Sequence, residues 1–183
     1  RQVIELNQEI AKFKIRWDAQ KPQEMKEWDR NAISRVFETL GEKRTEFDEL
    51  KTKTTKHAEN CEQFQMSPPK FNELEGLEED IDMVTGSWNM YKEYLEKLDE
   101  MGKQDWIIFR AKLFELHDFV KAWSTKIKER SKQGIIDIID EHIDEEISLF
   151  KKALPALKFM RGEPYKDDHW QELFQKLKIK GVK

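Results

Sequence analysis

Apolar residues recur along this chain at alternating steps of three and four, the spacing that places them on one helix face. Val3, Leu6, Ile10, Phe13 and Trp17 form the first run, which Gln20-Lys21-Pro22-Gln23 interrupts. Pro22 suits the first turn of a second helix. That helix carries Ile33, Val36, Leu40, Lys43, Phe47, Leu50, Thr54, His57, Cys61 and Phe64 in strict alternation until Ser67-Pro68-Pro69. At about 40 residues it is expected to span roughly 60 Å. A third run is Leu74, Leu77, Ile81, Val84, Trp88, Tyr91, Leu95 and Leu98, with Gly102 as the expected C-cap. A fourth is Trp106, Phe109, Leu113, Leu116, Val120, Trp123 and Ile127. A fifth starts near Gly134 with Ile136, Ile139, Ile143, Ile147, Phe150, Leu154 and Leu157. Pro155 is expected to kink it or loosen one turn. After the Arg161-Gly162-Glu163-Pro164 break, Asp168 and Gln171 form a capping box for a short sixth helix. Its apolar side is Trp170, Leu173, Phe174 and Leu177.

Strand signals are nearly absent. Ile135 to Ile139 is β-branched, but it runs on into a helix-period pattern and reads as helix. The expected fold is all-α: an elongated antiparallel bundle of five to six long helices. Residues 1–75 are expected to form one helical-bundle segment and residues 76–183 a second helical region.

Composition narrows what such a bundle can do. Of 183 residues, 38% are charged, against about a quarter in an ordinary globular domain. Six Trp and eleven Phe are too many anchors for a disordered chain. The net charge is −4 with both signs interspersed, so nucleic acid is a poor first partner. No apolar run reaches the length of a membrane span. The single cysteine cannot form an internal disulfide, which fits a reducing compartment. The chain begins at Arg1, inside a helical pattern and without a Met, and reads as a piece of something longer.

No catalytic, cofactor-binding or metal constellation emerges, and no cofactor is expected. His57 and Cys61 stand four apart, a legitimate ligand spacing, but both lie on the seam and no second Cys exists. No His has Glu three places before it, and no phosphate-cradling G-x-x-x-x-G-K-[ST] loop occurs. Two acidic clusters stand out: Glu73, Glu75, Glu78, Glu79, Asp80 and Asp82, and then Asp137, Asp140, Glu141, Asp144, Glu145 and Glu146. They read as solvated helix faces, or more sharply as docking patches for a basic partner. Trp28 lies off the main register and is expected to face a neighbour outside this stretch. Composition leaves two function classes open: a structural segment of a large assembly, or a non-motor coiled-coil adaptor.

Particular residues narrow the choice. Trp88…Tyr91…Leu95, Asp105-Trp106-Ile107-Ile108-Phe109-Arg110 and Phe119-Val120-Lys121-Ala122-Trp123 resemble the start of the second N-terminal region of dynein heavy chains. So does the closing Leu154-Pro155-Ala156-Leu157-Lys158…His169-Trp170-Gln171-Glu172-Leu173-Phe174. The resemblance covers roughly residues 76–178. Lys158-Phe159-Met160-Arg161-Gly162-Glu163, with Asp168 where many heavy chains carry Arg, is most similar to the intraflagellar-transport, or dynein-2, class. An axonemal heavy chain is the runner-up.

The resemblance implies a non-catalytic stretch where the tail runs into the linker. Force would pass through it between a distant AAA+ ring and the cargo-binding tail. The implied partners are the rest of the heavy chain, intermediate, light-intermediate and light chains, intraflagellar-transport train proteins and a second heavy chain. The implied location is the cilium or flagellum axoneme, the cytoplasm and the cytoskeleton. In that setting Trp170, behind the Asp168 cap and beside His169, is expected to pin the final corner.

Overall fold

A computed structural model of the chain describes residues 2–105, 108, 109 and 112–159. Five helices run through them: α1 (Gln2–Gln20), α2 (Arg30–Gln63), α3 (Asn72–Gly102), α4 (Leu113–Lys132) and α5 (Ile138–Phe159). No strand occurs among the described residues. The expected sixth helix, with Trp170, Asp168 and His169, and the head of the fourth run at Trp106 lie outside them. The chain divides into two compact units, Arg1–Trp88 and Asn89–Lys183, with the division inside α3.

The first unit is a three-helix bundle of α1, α2 and the start of α3. Its core is the predicted seam: Ile10, Phe13 and Trp17 against Ile33, Leu40, Phe47 and Leu50, with Leu74, Leu77, Ile81 and Trp88. Phe13 meets Phe47 with ring centres 5.9 Å apart, and Lys53 of α2 pairs with Glu9 of α1. Those contacts run the two helices antiparallel, since low numbers on one meet high numbers on the other. Arg44–Asp82 and Lys51–Glu78 do the same for α2 and α3.

Helix α2 opens later than Pro22 suggested. Residues 21–29 stay irregular, and Asp29 caps the helix by accepting the Ala32 N–H at 2.7 Å. The Asp29 side chain thereby satisfies one of the free N–H groups of the first turn. The helix is therefore 34 residues long, about 50 Å. It ends before Phe64, which is 76% exposed instead of extending the seam. The Met66 N–H reaches back to the Cys61 carbonyl, and the Gln65 N–H to that of Glu62. This six-to-one and five-to-two pair closes the helix with Gln65 at φ 55°. A non-glycine residue holds that left-handed conformation at a cost of about 1–2 kcal/mol.

Trp28 does not face outward to a missing neighbour. It stacks on Trp88 at 5.9 Å, and Phe37 meets Trp88 edge-on, also at 5.9 Å. The irregular 21–29 segment carries Trp28 back, which a strict register count misses.

The second unit is built from the end of α3 with α4 and α5. Met90, Tyr91 and Tyr94 of α3 are buried against Leu116, Phe119, Val120 and Trp123 of α4 and Ile139, Ile143 and Ile147 of α5. Tyr94, not the predicted Leu95, fills the core, with ring centres 5.4 Å from Phe119 and 5.2 Å from Trp123. Gly102 lies inside the last turn of α3 and keeps an ordinary negative φ, so it is not a left-handed cap. Pro155 sits on an exposed face within α5, which continues as helix to Phe159.

The α4–α5 corner departs most from the sequence reading. Ile135, Ile136 and Asp137 are not helical, and Ile136 is 64% exposed. Gly134 stands at φ 78°, with its N–H on Ser131 and the Ile135 N–H on Arg130. The glycine thus ends one helix instead of starting the next. Asp137 then caps α5, accepting from the N–H groups of Ile139 and Asp140 at 3.0 and 3.1 Å. Asp140 returns the favour to the Asp137 N–H at 3.3 Å, a capping box that uses aspartate in place of glutamate.

Candidate functional site

The two acidic clusters were the features most open to a functional reading, and the fold uses much of both internally. Asp80 accepts the Trp17 indole N–H at 2.6 Å and the Lys21 ammonium at 3.2 Å. Asp82 pairs with Arg44, and Glu78 with Lys51 at 2.5 Å. These pairs tie α3 to its neighbours, whereas Glu73, Glu75 and Glu79 are exposed. In the second cluster Arg130 grips Asp140 with Nε at 2.7 Å and Nη2 at 3.1 Å, and reaches Asp137 at 3.3 Å. Glu141, Asp144 and Glu145 remain exposed. A charge run on a helix gives no sign of which members meet a cation across the bundle, so the sequence reading of solvated faces was incomplete.

Glu146 belongs to a part-buried polar group between α3 and α5. Its Oε1 lies 3.5 Å from His142 Nε2, and the His142 ring meets Tyr91 edge-on at 5.6 Å. The Tyr94 hydroxyl is close enough to act on the carboxyl, yet neither it nor Glu146 Oε2 has a hydrogen bond of ordinary geometry. Burial pushes the Glu146 carboxyl above its usual range, against the pull of the Tyr94 hydroxyl. Burial also pushes His142 down to about 4, so the imidazole is neutral near pH 7. Burial and then the Glu146 charge push both tyrosines up. These groups form a packed polar layer between α3 and α5.

The layer has a pH signature. His142 binds protons less readily folded than unfolded. Its contribution is complete above pH 6.5 and is lost as pH falls from there towards 4, by at most about 3 kcal/mol. Glu146 works the other way, its contribution being complete below 4.5 and lost as pH rises through its elevated pKa. Glu146→Gln is thus expected to raise the urea midpoint at pH 7 and leave it nearly unchanged at pH 4.5. An equal change at both pH values would show that the carboxyl is not held in a desolvated position.

His57 and Cys61 lie on the half-buried side of α2, with Sγ 3.9 Å from Nε2. Among the described residues no group of three or more His, Cys, Asp or Glu is placed to hold a metal ion. None of the described helices is long and apolar enough to cross a membrane. Two surface hollows among the described residues are shallow and charged. One, of about 220 Å³, lies between α1 and α2 beside Arg16, Glu46 and Lys53. The other, of about 270 Å³, lies between α4 and α5 beside Lys121, Lys128 and Lys151.

Comparison with known proteins gives these helices a family. The profile of "Dynein heavy chain, N-terminal region 2" matches residues 74–183. Cytoplasmic dynein 2 heavy chain 1 of mouse and of human are each 30% identical over 172 residues, 93% of this chain. The protein of the same name from Chlamydomonas reinhardtii is 28% identical over 181 residues, 98% of this chain. The chain spans about 4% of the length of these relatives. No solved structure matches. The similarity to the dynein 2 proteins reaches back beyond residue 74 into α1 and α2, which the residue motifs had left as generic helices. The chain belongs to the dynein heavy chains and contains part of their N-terminal region 2.

Proposed function

We propose that this chain is a non-catalytic segment of a dynein-2 type heavy chain that carries force between a motor ring and a cargo-binding tail. The observation that supports the reading best is the match of residues 74–183 to N-terminal region 2, within a longer similarity to dynein 2 heavy chains. In this reading residues 1–75 belong to the tail and residues 76–183 form its end and the root of the linker. Its partners are the rest of the heavy chain, the dynein accessory chains, intraflagellar-transport train proteins and a second heavy chain. It works in the cilium and the cytoplasm on microtubules. The similarities to dynein 2 favour this class over an axonemal one. Packed aromatic cores and cross-helix ion pairs suit the role, because a segment that transmits force must resist bending.

Two measurements test it. The chain alone is expected to show no saturable ATP binding by calorimetry, and a micromolar dissociation constant would overturn the non-catalytic reading. A flexible Gly-Ser insertion after Gly134, placed in the whole heavy chain, is expected to lower stall force while basal ATP turnover stays near wild type. An unchanged stall force would remove this segment from the force path.

A further inference from the structure

The hollow between α4 and α5 is lined by three lysines that pair with no carboxylate among the described residues. On α4, His117, Lys121, Thr125 and Lys128 follow steps of four, four and three, which puts them on one face over three turns. Lys151 enters from α5 and donates to the Ser124 hydroxyl at 2.8 Å, which fixes its ammonium beside the groove. The floor is apolar, made by Val120 and Leu154. No carboxylate lines it.

Several other cations of the same unit meet acids. Glu93 takes Lys97 and Lys126, Asp99 takes Lys103, Glu115 takes Lys112, and Asp137 and Asp140 take Arg130. Lys121, Lys128 and Lys151 have no such partner among the described residues. Lys121 and Lys128 stand seven residues apart on their helix, about 10 Å. That separation is too wide for both to converge on one small anion. It suits a row of anions repeating every one to two turns.

We propose that this groove docks an acidic α-helix of a partner protein. Glu or Asp at four- and three-residue steps would face Lys121, Lys128 and Lys151, and one apolar side chain would cover Val120 and Leu154. Charge complementarity argues for this occupant: three ammonium groups with no carboxylate partner among the described residues flank an apolar floor in a chain whose net charge is −4. The inference goes beyond the motor reading and stands on the groove alone.

The probe is a labelled, alanine-based helical peptide with Glu at those steps and one central Leu. Binding to the full chain is read by fluorescence anisotropy. Lys121→Glu with Lys128→Glu is expected to weaken binding by about tenfold or more, and added salt should weaken wild-type binding. Lys56→Glu with Lys92→Glu makes the same charge change on exposed positions that do not line the groove. It is expected to weaken binding by less than about twofold. All four positions are exposed, and helix content by circular dichroism checks that both variants fold. Equal weakening by both pairs would reduce the effect to net charge and overturn the proposal. So would equal binding of a peptide with Gln in place of Glu. Peptide binding that fails while the chain self-associates through the same lysines would assign the groove to a second copy and overturn it as well.

Discussion

Trp17→Ala is expected to cost the first unit about 3–5 kcal/mol, the usual loss when a buried Trp is truncated. The side chain is fully buried in the three-helix core, beside Ile10 and Phe13 on its own helix. It also carries a polar duty. Its indole N–H donates to Asp80, and the same carboxylate oxygen takes Lys21. Alanine therefore opens a cavity and removes one of the two donors that hold Asp80. Trp17→Phe separates the two effects, since it keeps much of the apolar volume and loses the N–H. It is expected to cost about 1–3 kcal/mol, the scale of a lost hydrogen bond to a charged group. Urea unfolding followed by far-ultraviolet circular dichroism measures both. If Trp17→Ala unfolds within 1 kcal/mol of wild type, α1 is not a working part of the bundle.

Trp17 was legible in the sequence because a three-and-four alternation is a direct image of a helix face. The same count located Ile81, Trp123 and the Ile139, Ile143 and Ile147 stripe, all buried in the structure. It failed where backbone chemistry, not periodicity, decides. Asp29 and Gly134 set helix ends through single hydrogen bonds and one left-handed residue, and neither disturbs the apolar pattern. It also failed where two neighbours compete for one face. Tyr94 and Leu95 are both apolar enough for the seam, and only the aromatic partners Phe119 and Trp123 choose Tyr94. The charged residues were the least legible. Asp80, Asp82 and Asp140 look like members of solvated runs until the cations they meet, 10 to 59 positions away in sequence, are placed beside them. The α4–α5 groove was missed for the same reason. Its lysines stand on two helices, and the absence of acids between them is a property of the pairing, not of either stretch.

The corner between α4 and α5 concentrates these hidden interactions in Arg130, and its loss is the second large effect expected. The guanidinium makes a two-pronged contact with Asp140, whose side chain is only 5% exposed, and also touches Asp137. The Arg130 carbonyl meanwhile accepts the Ile135 N–H that closes α4. Burial lifts the Asp140 carboxyl above its usual range, the Arg130 fork resists that rise, and Asp137 adds to it. Arg130→Met keeps an apolar stem and removes the fork, leaving a buried carboxylate without its cation. The expected cost at pH 7 is about 3–5 kcal/mol. Arg130→Lys should recover only part of it, because a single ammonium cannot make the paired contact. The pH dependence identifies the cause. A carboxyl with a raised folded pKa stabilises fully below its unfolded value, and that contribution is lost as pH rises through the folded one. Without Arg130 the folded pKa rises further, so Asp140 can protonate and shed its burial penalty in mild acid. The loss caused by Arg130→Met should then be clearly smaller at pH 4.5 than at pH 7, as read from urea midpoints. Equal losses at the two pH values would mean that packing of the arginine stem holds this corner, and not its charge.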